Sequence, residues 1–290
     1  MGKFYSLLIT TMITIIFFSC KDSSTEPTAP ESFIKADGIK GGILYDSFWA
    51  SEANYSKKDD TALLSKLSAK SDFFRCKQCH AWDLLGNSGS YINRGPKSNR
   101  PNVSSVNLIS ITNKSNEQQL FDAIKTGSAS RRDISYDLAT YNPTTNATVG
   151  DQMPNYSQLM SDAEIWNLVK FLKKEANDVT LFYDATYTGT YPTGKANYSN
   201  IGKDGNAVNG TTYFNNKCAI CHGIDGKKIP DLDATTGMTL GKFVRTKPNE
   251  AQHKIKFGQL GSRMSSSKTT LQELKDLYKA VADTIAFPNK

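Results

Sequence analysis

The chain has 290 residues, enough for one or two globular domains with cores of their own. Charged residues make up 22% and hydrophobic residues 38%, a balance that fits a folded, water-soluble body and excludes a chain that repeatedly crosses a membrane. The 35 Lys and Arg against 28 Asp and Glu give a net charge of only +7, with no basic stripe interleaved with aromatics, so no nucleic-acid partner is inferred.

Residues 1–20 read as a targeting segment. Lys3 supplies a positive start, and Phe4 to Phe18 is an apolar run too short for a comfortable bilayer span. The run ends in Phe17-Phe18-Ser19-Cys20. A small residue before Cys at the end of such a run resembles a bacterial lipoprotein cleavage site, although Phe17 and Phe18 are bulkier than is usual there. Cys20 is therefore expected to carry lipid. Residues 21–36 begin Lys-Asp-Ser-Ser-Thr-Glu-Pro-Thr-Ala-Pro and suit a flexible tether between that lipid and a folded domain.

The first folded segment opens with Gly41-Gly42-Ile43-Leu44-Tyr45, where Gly41 and Tyr45 share one helix face. Cys76-Lys77-Gln78-Cys79-His80 follows, then Arg100-Pro101-Asn102-Val103 and Ile124-Lys125-Thr126-Gly127. Met153 stands just ahead of a terminal helix. That helix starts at the capping box Ser161-Asp162-Ala163-Glu164 and carries an apolar stripe of Ile165, Leu168, Val169 and Leu172. Met160, immediately before the cap, is expected to staple to Ile165 rather than reach a ligand. Residues 176–205, with Tyr183, Tyr187, Tyr191 and Tyr198 among Thr, Gly, Asn and Pro, read as an irregular or short-stranded surface linker.

The second segment repeats the order. Gly210 and Phe214 match Gly41 and Tyr45; Cys218-Ala219-Ile220-Cys221-His222 matches the first motif. Ile229-Pro230-Asp231-Leu232 and Ile255-Lys256-Phe257-Gly258 follow. Met264 precedes the capping box Thr270-Leu271-Gln272-Glu273, behind which Leu274, Leu277, Tyr278 and Val281 form a stripe that Phe287-Pro288 ends. Relative to this half, the first carries insertions between Trp49 and Phe73 and between Gly127 and Met153. The second insertion contains Arg131, Arg132, Asp133, Tyr136 and Tyr141, and a tolerated surface insertion explains it at least as well as a partner-docking loop.

With Cys20 assigned to lipid, the other four cysteines all fall in the two C-x-x-C-H motifs. That motif is the attachment signature of haem c. The paired thiols, Cys76 with Cys79 and Cys218 with Cys221, reach the two vinyl groups of one porphyrin, and the adjacent His80 or His222 lies at the iron. A structural zinc site needs its two Cys pairs roughly 15–20 residues apart, far closer than Cys79 and Cys218. Disulfides or thioredoxin-like pairs need no His after each pair. Two haem c groups are therefore expected.

Each half resembles a class I cytochrome c domain: an N-terminal helix with Gly and an aromatic, C-x-x-C-H, a Pro-containing loop, an axial Met and a C-terminal helix. The second half fits well, the first less well because of its insertions. The resemblance implies a mainly α fold of two tandem cytochrome c-like domains with long loops, at residues 37–175 and 206–290. Met153 is the expected sixth ligand of the first iron. For the second, Met264 is preferred over Met238, which follows the Pro230 loop too closely, and over His253, expected on the surface of a short helix. Trp82, Tyr91, Arg94 and Arg245 are eligible to bond haem propionates, and sequence does not choose among them. The expected function is single-electron transfer between respiratory redox proteins or within a respiratory membrane complex. The expected location is the periplasmic side of a membrane or the cell envelope, held by the lipid anchor. The alternative is a di-haem oxidoreductase, peroxidase-like or thiosulfate-oxidising, which needs a different sixth ligand or an open iron.

Overall fold

Two pairs of crossing helices organise the chain, and each crossing is made at a glycine. The computed structural model describes residues 29–51, 55, 57–127 and 130–290. The targeting segment, Cys20 and residues 21–28 of the expected tether lie outside the described residues.

The first half contains α1 (Glu31–Lys35), α2 (Gly38–Ser47), α3 (Thr61–Ala69), α4 (Cys76–His80), α5 (Leu108–Lys114), α6 (Glu117–Lys125), α7 (Ala147–Asp151) and α8 (Asp162–Lys170). Asp37 caps α2 through the Ile39 and Lys40 N–H groups, and Ser161 with Glu164 closes the expected capping box on α8. The α2–α8 crossing is so close that a Cβ on Gly41 would lie 1.9 Å from the Asn167 carbonyl oxygen. Tyr45, one turn on, is buried. Met160 and Ile165 lie in the same buried cluster, as a staple requires.

Two expectations for this half need correction, and the insertion after Trp49 proves to be structured. The tether ends earlier than residue 36, because α1 folds and Phe33 is buried in the first core, with the Lys170 ammonium 4.6 Å from its ring centre. The insertion after Trp49 forms α3, which buries Leu63 and Leu67. The insertion before Met153 is not a loose surface loop. Leu138, Tyr141 and Arg132 are buried, Tyr141 packs edge-on against Phe73 at 4.9 Å, and the Lys66 ammonium of α3 donates to the Ile134 carbonyl. The two insertions thus pack against the same part of the first core.

The expected linker is also structured. Val179, Phe182 and Tyr183 enter the second core, and β1 (Asp184–Thr188) pairs antiparallel with β2 (Lys195–Ser199), Tyr187 opposite Ala196. This hairpin reaches back to the first half. The Tyr187 hydroxyl donates to Asp83 at 3.2 Å, and the Tyr191 hydroxyl donates to Asn102 while accepting from the Val103 N–H, each at 3.0 Å.

The second half follows with α9 (Ala207–Lys217), α10 (Ala219–His222), α11 (Leu240–Thr246), α12 (Pro248–Phe257) and α13 (Leu271–Val281). The α9–α13 crossing repeats that of the first half: a Cβ on Gly210 would lie 1.9 Å from the Asp276 carbonyl oxygen. Leu274, Leu277, Tyr278 and Val281 are all buried, and Thr270 with Glu273 closes the capping box. The helix stops at Val281, ahead of Phe287, which folds back edge-on against Phe214 at 4.7 Å.

The halves meet where α12 lies on α2. His253 is not a surface residue, as expected from sequence, but is 2% exposed. It packs against Trp82 and Phe257, each at 4.6 Å, with Tyr45 and Phe171 at 6.0 Å. Beside it the Lys254 ammonium meets the buried Asp46 carboxylate at 2.6 Å, and Asp46 also accepts from Arg75, the residue before the first Cys. Burial pushes the Asp46 carboxyl upward, but Lys254, Arg75 and Lys77 outweigh it and hold the group well below its usual range.

Replacing Gly210 with Ala is expected to destabilise the chain by about 1–3 kcal/mol or more, since the methyl meets backbone that cannot rotate away. Denaturant unfolding of G210A checks this; an unchanged midpoint would refute the close crossing. The buried His253 generates a pH dependence. Burial lowers its pKa from 6.5 to about 3. The unfolded chain therefore takes up this proton first, so stability is full above pH 6.5 and declines as pH falls toward 3. The limiting slope for one proton is about 1.4 kcal/mol per pH unit. Unfolding of wild type and His253→Phe across this range should show the variant with the shallower decline.

Candidate functional site: two C-x-x-C-H turns

Both motifs fold as a single helical turn. Their spacing places the two cysteines of each on one side, with the histidine beside the second. Each turn closes in the same way: Ala81 N–H donates to the Lys77 carbonyl at 3.0 Å, and Gly223 N–H to the Ala219 carbonyl at 2.8 Å. The closing residue has φ 61° at Ala81 and φ 79° at Gly223, a conformation natural to glycine. Ala81 holds it at a cost of about 1–3 kcal/mol. Its carbonyl accepts from the Tyr45 hydroxyl at 2.6 Å, which ties the first motif to α2.

The loops after each histidine fold back onto the motif. Ser104 N–H donates to the Cys79 carbonyl at 2.8 Å, and Lys228 N–H to the His222 carbonyl at 2.9 Å. In the first half Asn102 is gripped from both sides, by Asp151 of α7 at 2.6–2.8 Å and by Tyr191 of the hairpin. Insertion and linker thus brace one Pro-containing loop.

At the second motif a cavity of about 410 Å³ is lined by both His222 and Met264. Leu232, Leu240, Phe243 and Val244 give it apolar walls. That volume suits a cofactor-sized ligand. The other two second-half candidates are elsewhere: Met238 is 7% exposed in the second core, and His253 is sealed between the halves. At the first motif, Met153 is partly buried against the first core, and its carbonyl accepts from Arg132 N–H at 3.0 Å. Tyr156, three residues on, brings this segment to the motif: its hydroxyl lies 3.8 Å from Cys76 Sγ and donates to the Phe74 carbonyl at 2.9 Å.

The electrostatics suit a neutral ligand set. Burial pushes the Cys76 thiol up to about 11, Cys79 to about 12 and Cys218 to about 11. Burial also lowers His80 to about 4 and lowers His222, so both imidazoles are neutral, the form with a lone pair for iron.

Unpaired donors mark where an anionic group fits. Arg132 is 2% exposed, with its Nε and Nη1 unpartnered among the described residues. Its Nη2 donates to the Phe73 carbonyl at 2.5 Å, and its guanidinium lies 4.8 Å from the Phe74 ring centre. An arginine so placed suits a carboxylate of a haem held by Cys76 and Cys79. Sequence reasoning passed over Arg132 because it lies in an insertion with no counterpart in the second half; its only signal was charge inside a stretch otherwise able to pack. Of the four residues expected to be eligible, Arg245 is spent on the carbonyls of Val281 and Phe287, each at 2.8 Å, and so clamps the C-terminus. Arg94 donates to Gln78 at 2.6 Å and stacks on Tyr91 at 4.9 Å. Trp82 is buried against His253 with its Nε1 unpartnered.

A family model described as Cytochrome c matches residues 68–175 and 207–280, more than half of the chain and both C-x-x-C-H turns. No curated protein and no solved structure matches. The family binds haem c covalently and performs redox chemistry through its iron. The paired glycine crossings, the matched helical turns and the two matched regions agree: this chain is a two-domain, mainly helical member of the cytochrome c family.

Proposed function

We propose that this protein is a di-haem electron-transfer lipoprotein of a bacterial cell envelope, passing single electrons between redox protein partners or within a respiratory membrane complex. The observation that carries the reading is that His222 and Met264 line one cavity, in a half whose motif, glycine crossing and capped terminal helix repeat those of the other. Bound haem supplies a one-electron iron couple, whose potential a thioether ligand raises. The chain does the rest. Cys76 and Cys79, and Cys218 and Cys221, hold the porphyrins. His80 with Met153, and His222 with Met264, would be the protein ligands of the two irons, leaving no position for substrate. Arg132 takes a carboxylate at the first site.

A di-haem oxidoreductase would need a different sixth ligand or an open iron. The chain has three histidines, and the one outside the motifs, His253, is packed against Trp82 and Phe257. No observation favours the enzyme reading. Cys20, outside the described residues, is the proposed lipid site, on the strength of the apolar run before it.

A pyridine haemochrome assay on the mature protein is expected to give two haems per chain. Met264→Ala should remove half of the near-infrared thioether-to-iron band and lower one potential while leaving the other. An intact band in that variant, with a spectral change in His253→Ala, would show the ligand assignment to be wrong. Cys20→Ala should release the protein from the membrane fraction with both haems retained. Stable anchoring needs more than one acyl chain, so mass analysis of the wild-type N-terminus should find them on Cys20; a soluble wild-type protein starting at another residue would refute the anchor.

A further inference from the structure

The wall of the second cavity is not built by the second domain alone. Beside His222 and Met264 it includes Arg75 and Lys77, which flank and interrupt the first Cys pair. Arg75 is engaged: its Nε donates to the Asp46 carbonyl at 2.6 Å and its guanidinium pairs with the Asp46 carboxylate. Lys254, also on the wall, pairs with the same carboxylate at 2.6 Å. Lys77 is different. It is 8% exposed, lies 4.6 Å from the Trp82 ring centre, and forms no ion pair or side-chain hydrogen bond among the described residues. Glu250 lines the same cavity, without an ion pair to Lys77.

A lysine more than nine-tenths buried is normally matched by an anion, because an unpaired ammonium away from water is costly. Lys77 lines the cavity that holds His222 and Met264. We propose that Lys77, a residue of the first attachment motif, is a positioning residue of the second haem site, its ammonium taking a carboxylate of the group held by Cys218, Cys221 and His222. This rests on the di-haem reading. The second site is then completed by the first domain. The positive charge beside it favours the reduced, more negative state of the second iron.

The test compares holoprotein of wild type, Lys77→Met, Lys77→Arg and Lys217→Met by spectroelectrochemical titration. The second haem is the one whose potential Met264→Ala lowers. Lys217 is an exposed lysine next to Cys218 that does not line the cavity, so it controls for charge alone. Lys77→Met is expected to weaken the second haem's hold on its electron about tenfold, a fall of about 59 mV for a one-electron couple, and to move the first haem less. Lys77→Arg should restore most of the loss and Lys217→Met should change little. Loss of haem from Cys218 and Cys221 alone in Lys77→Met would be the same result in a stronger form. Equal shifts at both haems, a shift confined to the first, or no shift would overturn the proposal. Haem counts on the same samples separate the two readings: one haem in wild type would defeat the di-haem reading itself.

Discussion

A single buried carboxylate joins the parts of this molecule that matter. Asp46, 2% exposed, stands at the end of the helix that crosses α8. One oxygen accepts from Arg75, which leads into the first C-x-x-C-H turn, and the other from Lys254, which belongs to the second domain. Removing one partner from such a set leaves a buried charge uncompensated, at about 3–5 kcal/mol, so the three are held together or not at all. The first motif, the helix beneath it and the domain interface therefore share one electrostatic knot. His253 and Trp82 pack beside it and keep water from screening it.

The repeated domain plan was legible in the sequence because it rests on local rules. C-x-x-C-H folds as one turn wherever it stands, and the capping boxes at Ser161 and Thr270 are formed by residues three apart. Gly41 and Gly210 were visible as repeats, although only the structure shows what they do: each admits a backbone carbonyl where a methyl group would collide. The stripes on α8 and α13 follow from helical periodicity, and almost all of their residues are buried as that periodicity requires.

The junction between domains was not legible, and the reason is physical. His253 sits in Gln-His-Lys-Ile-Lys, a string that reads as solvated. Its burial depends on Trp82, and that of its neighbour Lys254 on Asp46, 208 positions away, which no local pattern reveals. Charged and polar residues enter an interior only when matched, and the match lies in the other half of the chain. The same holds for Arg132 and Tyr191, each on a segment that looked dispensable yet bracing the surroundings of the first motif from outside the repeat.

The short helix α1 has a consequence for where the protein works. Phe33 is docked in the first core, so the folded body begins at about Pro30. Only Lys21 to Pro30 then separates that body from Cys20, the proposed lipid site. Ten residues at full extension reach about 35 Å, and any bend shortens them. With Cys20 lipidated as proposed, a body on so brief a leash could not diffuse away from its membrane to find a distant redox partner. Under that proposal it would sample a shallow layer beside one bilayer and meet partners by lateral movement in the plane of that membrane. Its encounters would then be governed by two-dimensional crowding rather than by bulk concentration.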